Sequence, residues 1–189
     1  MYVFFIPLTL GFVLNAASAL TAAYSRRWGE RGGQLITVLL RDILGIPLWV
    51  VGLALAIRVR EDALFRPPAA MAVLAWILVV AGSVVILWAL RALRWRAAAP
   101  TARDALVHHG PYAHVRHPIH SGTLLEFAGL AILFPTRAVL LACGLGFGWI
   151  LVQSRLEEAD LLQRLPAYRD YMKRLPRFVP RLRRASPGR

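Results

Sequence analysis

The sequence predicts an all-α integral membrane protein with five transmembrane helices, the last two of which form a short helical hairpin. Two observations predict this class. Hydrophobic residues make up 58% of the chain and the mean hydropathy is +0.54, both above the values of ordinary soluble domains. Four regions are also apolar over lengths near the ~20 residues that a helix needs to cross a bilayer.

The first three apolar regions each predict one spanning helix. Residues 2–24 and 68–90 contain no charged side chain, whereas residues 35–57 are interrupted by Arg41 and Asp42. The last region, residues 121–152, is too long for one span and has a turn signal, Pro135-Thr136-Arg137, in its middle. It therefore predicts two helices, over 121–134 and 137–153.

The placement of basic residues predicts the orientation. Lysine and arginine are concentrated in the first loop, in the third loop and after the last span, where the tail from Arg155 onward holds ten of the 23. Cytoplasmic segments of membrane proteins carry this excess. We therefore expect the N-terminus outside and the C-terminus in the cytoplasm.

The net charge of +13 has two interpretations. A basic tail is compatible with nucleic-acid binding, but in a membrane protein it more often sets topology and contacts anionic headgroups. We expect membrane lipids as partners and no nucleic acid. The single cysteine, Cys143, excludes a disulfide within the chain.

All five histidines lie between residues 108 and 120, directly before the predicted hairpin. Histidine titrates near neutral pH and can bind metals, move protons or hold polar ligands. Gly110-Pro111 predicts a turn, and His117 precedes a proline, which disfavours helix. This segment is therefore expected to be irregular and to form one wall of a pocket.

A second polar cluster follows the predicted hairpin. Gln153 and Glu157 are one helical turn apart and share a face, whereas Glu158 is rotated by about 100°. Such a cluster can simply be the solvated end of a helix. Because a short hairpin returns its two ends to the same membrane face, we expect Glu157 near the histidines.

The order and spacing of several short motifs resemble the isoprenylcysteine carboxyl methyltransferase family, whose wider group includes phospholipid N-methyltransferases. The resemblance covers roughly residues 100 to 180 and rests on Gly-Pro-Tyr at 110–112, Arg-His-Pro at 116–118, Glu-Glu at 157–158, tyrosines 168 and 171, and Leu-Pro-Arg-Phe-Val-Pro at 175–180. It implies a methyltransferase core over 100–184. The apolar regions before this core predict an N-terminal three-helix membrane region (1–99), and the polar end of the chain predicts a frayed tail (185–189).

The resemblance also implies S-adenosylmethionine as cofactor, bound in a cytoplasmic pocket, and a lipophilic acceptor entering from the bilayer. The implied cofactor-binding residues are Asp104, Ala105, Leu106, Val107, Tyr112, His117, Pro118, Ile119, His120 and Glu157. Chemically, Tyr112 can face a sulfonium cation, and Glu157 can balance the charge of the cofactor. No catalytic residue is assigned, because methyl transfer to a carboxylate depends on alignment more than on a base.

The implied substrate position is Gln153, where the prenylcysteine enzymes have arginine. Arg155, on another helix face, is a candidate replacement, and Glu126 within the fourth span is expected to face the pocket and the acceptor. The chain also departs from the family at His120, where tyrosine is usual, and at Leu165-Pro166, where Phe-Gly is usual.

Other functions remain open from sequence alone. The acceptor can instead be an amine, with one of the extra histidines as base. His114, His117 and His120 have the i, i+3 spacing of a metal site on a helix, although Pro118 argues against a regular helix there and no metal is assigned. A third alternative is a non-enzymatic membrane scaffold, or a degenerate relative that binds the cofactor without turnover.

Overall fold

The computed structural model describes residues 2–94 and 106–181, and every regular element within these ranges is helical. A π-helical turn (Leu39–Gly45) joins the second helix to the third, and a 3-10 turn (Gly110–Ala113) precedes the fifth. The helices are α1 (Phe5–Ser18), α2 (Thr21–Val38), α3 (Ile46–Arg58), α4 (Ala69–Leu93), α5 (Pro118–Leu133), α6 (Arg137–Arg164) and α7 (Tyr168–Arg174).

Helix α1 packs antiparallel against the π-helical turn and α3, and glycines make the close approach possible. Added Cβ atoms would clash with the opposing backbone at every step: Gly11 faces Trp49, Gly45 faces Asn15, and Gly52 faces Leu8. Backbones that approach this closely gain dispersion contacts. Such contacts matter in a bilayer, because lipid tails are as apolar as the side chains and the hydrophobic effect does not drive helices together there. The first two apolar regions therefore form one helical pair.

The first helix is shorter than the predicted span over 2–24. It ends at Ser18, and α2 begins at Thr21 and continues through the segment predicted as a loop. Gly29, with φ 72° and ψ 172°, bends α2 sharply, so that Gly33 packs against Ser25. Only glycine takes such a conformation without strain, and hydropathy carries no signal for it.

Helices α4 and α5 form the second antiparallel pair. A Cβ on Gly122 would lie 2.6 Å from the carbonyl oxygen of Gly82, and one on Gly129 would lie 2.6 Å from the carbonyl oxygen of Ala75. The predicted division of the last apolar region is confirmed: α5 ends at Leu133, and the Thr136 side chain accepts a hydrogen bond from the Val139 amide at the start of α6.

Within residues 2–94 and 106–181, three helical segments are long and apolar enough to cross a membrane: Thr21–Arg58, Ala69–Leu93 and Arg137–Arg164. Helix α1, with 14 residues, and α5, with 16, are apolar but shorter. Only 11% of the most apolar window of α4 is buried, so its large side chains face outward, as lipid-facing residues do. These helices indicate an integral membrane protein; five spans and their orientation stay predictions.

Aromatic rings join the two helix pairs to α6 in the interior. Phe12 stacks on Trp149 with ring centroids 4.7 Å apart, and Trp49 lies 5.9 Å from Trp149 and edge-on to Phe127. Phe127 is 2% exposed and packs over Gly146. The rings bring the helix pairs together beside the polar part of α6.

Candidate active site

A cavity of about 620 Å³ lies between the two helix pairs and α6. This volume is within the range of small-molecule sites in proteins. One part of its wall is polar and is built from the segment before α5 and the second half of α6; much of the rest is apolar. Residues from α1 to α3, including Asn15 and Trp49, also line it. The site therefore draws on both the 1–99 region and the 100–184 region.

The 3-10 turn brings Tyr112 to the cavity wall. The turn begins at Gly110, whose φ of 60° favours glycine, and continues through the buried Pro111. The Tyr171 hydroxyl on α7 donates a 2.6 Å hydrogen bond to the carbonyl oxygen of Tyr112. Burial, with a contribution from the charge of Glu157, raises the pKa of Tyr112 well above its usual value, so this phenol stays neutral.

The chain between this turn and α5 is irregular, as predicted, and the C-terminal segment holds it in place. The amides of Arg116 and His117 donate 3.0 Å hydrogen bonds to the carbonyls of Pro176 and Arg177. His117 has φ −126° and ψ 66°, and Pro118 then begins α5. The proline prevents His117 from continuing a helix, and the backbone bonds to residues 176 and 177 fix where its ring lies.

His117 lies between two carboxylates of α6. Its Nδ1 is 3.3 Å from Glu157 Oε2, and its Nε2 is 3.0 Å from Glu158 Oε1. Burial alone lowers the pKa of His117, but the hydrogen bonds and charges of the two glutamates outweigh it and the pKa is raised. This location of Glu157 near the histidines confirms the sequence expectation.

Glu158 is neutralised by two arginines, whereas Glu157 is directed to the cavity. Arg116 Nη1 lies 3.0 Å from Glu158 Oε1, and Arg177 donates to both Glu158 oxygens. Glu157 lines the cavity and accepts a 2.8 Å hydrogen bond from Gln153 Nε2. Of these two glutamates, Glu157 is therefore the one whose negative charge remains to meet a ligand.

Several buried polar atoms around Glu157 have no hydrogen-bond partner within the described part of the chain. His120 is 9% exposed; its Nε2 is 3.7 Å from Glu157 Oε1 and its Nδ1 is unpartnered. Gln153 Oε1 and the Tyr168 hydroxyl are unpartnered as well. Buried polar groups are rarely left unsatisfied, so this part of the wall is suited to a polar ligand.

The profile of the phospholipid methyltransferase family matches residues 70–168, which is just over half of the chain. This chain belongs to the phospholipid methyltransferase family. The match covers α4, the histidine segment, α5 and α6, which together form most of the polar wall. It confirms the resemblance inferred from the motifs.

Curated relatives match part of this family member. Methanethiol S-methyltransferase 2 of Bradyrhizobium diazoefficiens is 40% identical over 72 residues, covering 38% of this chain and 27% of the relative. A cobalt-zinc-cadmium resistance protein of Cupriavidus metallidurans is 34% identical over 80 residues, 42% of this chain and 37% of the relative. A nickel-cobalt-cadmium resistance protein of Alcaligenes xylosoxydans xylosoxydans is 34% identical over 80 residues, which cover 41% of this chain and 37% of the relative.

The chain thus spans between a quarter and two fifths of the length of these relatives. No solved structure matches it.

Most of the predicted site residues of this methyltransferase-family chain meet at the cavity. The cavity-lining ones are Leu106, Val107, Tyr112, His117, Ile119, His120, Glu126, Gln153 and Glu157. Pro118, the first residue of α5, is buried but does not line the cavity. Asp104 and Ala105 lie outside the described residues. Arg155 is exposed and lies outside the cavity, so the structure does not bring this candidate to the substrate side.

The three histidines of the alternative metal site, His114, His117 and His120, do not converge. His114 is exposed and its ring lies 6.5 Å from that of Trp88, whereas His117 and His120 are buried. Among the described residues, the potential metal ligands that do converge are His117, His120 and Glu157. The structure also adds two site residues that the sequence did not predict, Arg116 and Arg177. Both belong to the family motifs, but nothing in the sequence indicates that they meet at Glu158.

Proposed function

We propose that this chain transfers a methyl group from S-adenosylmethionine to a lipid-like or prenylated carboxylate acceptor that enters from the bilayer. One observation carries the proposal. The Glu157 carboxylate, oriented by Gln153, faces a cavity of about 620 Å³ beside two buried histidines and Tyr112. A negative group beside an aromatic ring and unpartnered polar atoms suits a cationic ligand that also carries polar groups.

The residues present fit the proposed cofactor. Glu157 would balance its positive charge, and the face of Tyr112 would contribute about 0.5–2 kcal/mol to binding a sulfonium. His120 Nδ1, Gln153 Oε1 and the Tyr168 hydroxyl offer hydrogen bonds to its polar groups. Leu106, Val107 and Ile119 supply apolar wall from the segments that the family resemblance assigns to cofactor binding.

S-adenosylmethionine, when bound, supplies an electrophilic methyl group. The protein then has to align the acceptor and exclude water, which together contribute most of the rate in such transfers. Trp49 and Trp149 line the cavity and belong to the aromatic cluster between the helix pairs and α6, so this part of the wall is apolar. A carboxylate acceptor has no proton to lose, so no residue is assigned as a base.

The acceptor side is formed by apolar residues of α3 and α4, among them Val50, Ile86 and Leu90. A lipid chain is compatible with this wall. Gln153 takes the place of the arginine that holds the substrate carboxylate in the prenylcysteine enzymes, and an amide recognises carboxylates less strongly than a guanidinium. The basic segments of the chain support a cytoplasmic location of the active site.

An amine acceptor is the second candidate. Glu126 lines the cavity and accepts a 2.7 Å hydrogen bond from the Ser83 hydroxyl, so a second carboxylate faces the acceptor space. A carboxylate there attracts an ammonium group and repels a carboxylate. An amine has to lose a proton before attack, and a neutral histidine in the cavity can accept it.

The first test is cofactor binding, measured by calorimetry on the purified chain in detergent. Glu157→Ala and His117→Ala remove charge-assisted contacts worth about 1.5–3 kcal/mol, so the Kd for S-adenosylmethionine is expected to rise about 10–100-fold. His114→Ala is the matched control, because His114 is exposed on the same segment. Unchanged affinity in both cavity variants would break the residue assignment.

The second test identifies the acceptor. Labelled methyl groups are transferred from S-adenosylmethionine to a lipid extract, to prenylcysteine analogues and to phospholipid amines, and the products are identified by mass. Methylated carboxylates support the first candidate. Methylated amines, lost in Glu126→Gln, support the second.

A further inference from the structure

His117, His120 and Glu157 form a cluster with the composition of a transition-metal site. One ligand atom from each lies within 4.8 Å of the others. The closest approaches are 3.3 Å between His117 Nδ1 and Glu157 Oε2, and 3.7 Å between His120 Nε2 and Glu157 Oε1. Ligands about 2.0–2.2 Å from a tetrahedral zinc ion are themselves about 3.4 Å apart. Small side-chain rotations therefore suffice to close the site.

The groups behind these ligands are arranged as they are around bound metals. Ligating histidines usually donate their second ring N–H to a carboxylate, which fixes the tautomer and the ring. His117 Nε2 is 3.0 Å from Glu158 Oε1, and Nδ1, which faces Glu157, becomes a ligand when it releases its proton to the incoming ion. Gln153 Nε2 donates to Glu157 Oε1 and holds that carboxylate in place. Two of the three ligands are thus oriented before an ion arrives.

The surroundings also leave room for an ion. Glu158 already has Arg116 and Arg177 as partners, so it can support His117 without competing for a cation. His120 is buried and its Nδ1 has no partner among the described residues. All three ligands line the cavity, so a fourth coordination position opens onto it. Two imidazoles and one carboxylate favour zinc or cobalt over magnesium or calcium.

We propose that His117, His120 and Glu157 bind one divalent ion of the zinc and cobalt class, and that this ion and the methyl donor exclude each other. Metal binding follows from the cluster alone. The exclusion rests on the proposed function, because the same Glu157 and histidines are assigned to the donor. An ion held by these three residues removes the carboxylate that balances the donor and adds positive charge beside its binding position.

The first arm of the test measures metal binding to untagged protein in detergent. Zinc is quantified by equilibrium dialysis, and cobalt by the visible absorption that four- or five-coordinate Co²⁺ shows. The wild-type chain is expected to bind one equivalent. His120→Gln and Glu157→Gln should lose at least the roughly 10–100-fold in affinity that removal of a ligand-orienting group costs. His114→Gln, an exposed histidine of the same segment, should bind as the wild type does.

Folding of the variants is checked by their elution as single species and by their thermal unfolding. His120→Gln is the decisive variant, since His120 makes only one long polar contact, at 3.7 Å, in the described structure. Equal zinc binding by the wild type, His120→Gln and Glu157→Gln overturns the proposal, as does no binding at micromolar zinc.

The second arm measures S-adenosylmethionine binding by calorimetry with and without one equivalent of zinc. The apparent Kd for the donor should be higher with zinc than without it, because the two ligands compete for Glu157 and the histidines. Donor binding that is independent of zinc overturns the exclusion. Zinc binding with the expected variant pattern but no donor binding at all supports the metal site and overturns the proposed function, so the two failures are distinguishable.

Discussion

At the scale of single residues, Glu158 is the group that holds the polar wall together. Its side chain is 5% exposed and contacts Arg116, His117 and Arg177. Arg116 comes from the segment before α5 and Arg177 from the chain after α7, so one buried carboxylate of α6 joins three parts of the chain. Its role is to position His117, because its own charge is compensated by the arginines.

Glu158→Ala is therefore expected to be strongly destabilising. It leaves Arg116, whose side chain is 12% exposed, as an uncompensated buried charge. Breaking a buried pair in this way costs about 3–5 kcal/mol of unfolding free energy. The measurement is unfolding of the purified chain in detergent, followed by circular dichroism.

Asp170→Asn is the control for this prediction. The Lys173–Asp170 pair is 70% and 65% exposed, so its loss should cost at most about 1 kcal/mol. Equal stability losses in the two variants would contradict the assignment of Glu158 as a buried anchor.

At the scale of helices, close packing through glycine decides how the elements pair. Gly122 of α5 lies against Gly82 of α4, with no room for a methyl group between their backbones. In the sequence, the three alternating glycines at 144, 146 and 148 are more conspicuous than Gly82 and Gly122. Their small size predicts close helix packing at all three positions. Only Gly146 packs against a neighbour; Gly144 and Gly148 face open space.

Gly122→Ala and Gly144→Ala should thus change stability in opposite directions. The methyl group at 122 would lie 2.6 Å from the carbonyl oxygen of Gly82, and such overpacking typically costs about 1–3 kcal/mol. At 144 the methyl group meets nothing within 4 Å, and alanine favours the helix by roughly 0.5–1 kcal/mol over glycine. Thermal unfolding in detergent distinguishes the two, and stabilisation by Gly122→Ala would refute this packing.

At the scale of the whole molecule, the two ends of the helical body differ in chemistry. At one end the segment after α3 meets the α5–α6 turn: Leu64 N donates to the Pro135 carbonyl, and Ala138 N donates to Glu61. At the other end lie the histidine segment, helix α7, and Glu157 and Glu158 of α6. The predicted orientation puts the first end outside and the second in the cytoplasm.

This orientation is tested by cysteine labelling in intact spheroplasts. The only native cysteine, Cys143, is buried and is replaced by alanine. In that background, Asp62→Cys is expected to react with a membrane-impermeant maleimide from outside, and Lys173→Cys only after permeabilisation. Both positions are exposed. Labelling of both from the same side would mean an even number of crossings between them and would contradict the five-span topology.

The sequence by itself determined the helical class, the division of the last apolar region at Pro135, and the meeting of Glu157 with the histidines. These follow from local rules: apolar length, turn chemistry and the return of a hairpin to its starting face. The same rules placed Arg155 on a different face from Gln153, and the structure finds Arg155 exposed.

Only the tertiary structure decided which partners each polar group has. The meeting of Glu158 with Arg116 and Arg177 depends on the chain after α7 folding back onto the segment before α5, and no local pattern specifies such a long-range contact. The tertiary structure also decided that the third member of the candidate metal cluster is Glu157 and not His114. The i, i+3 spacing of the histidines aligns them only on a regular helix, and the backbone at His117 is not helical.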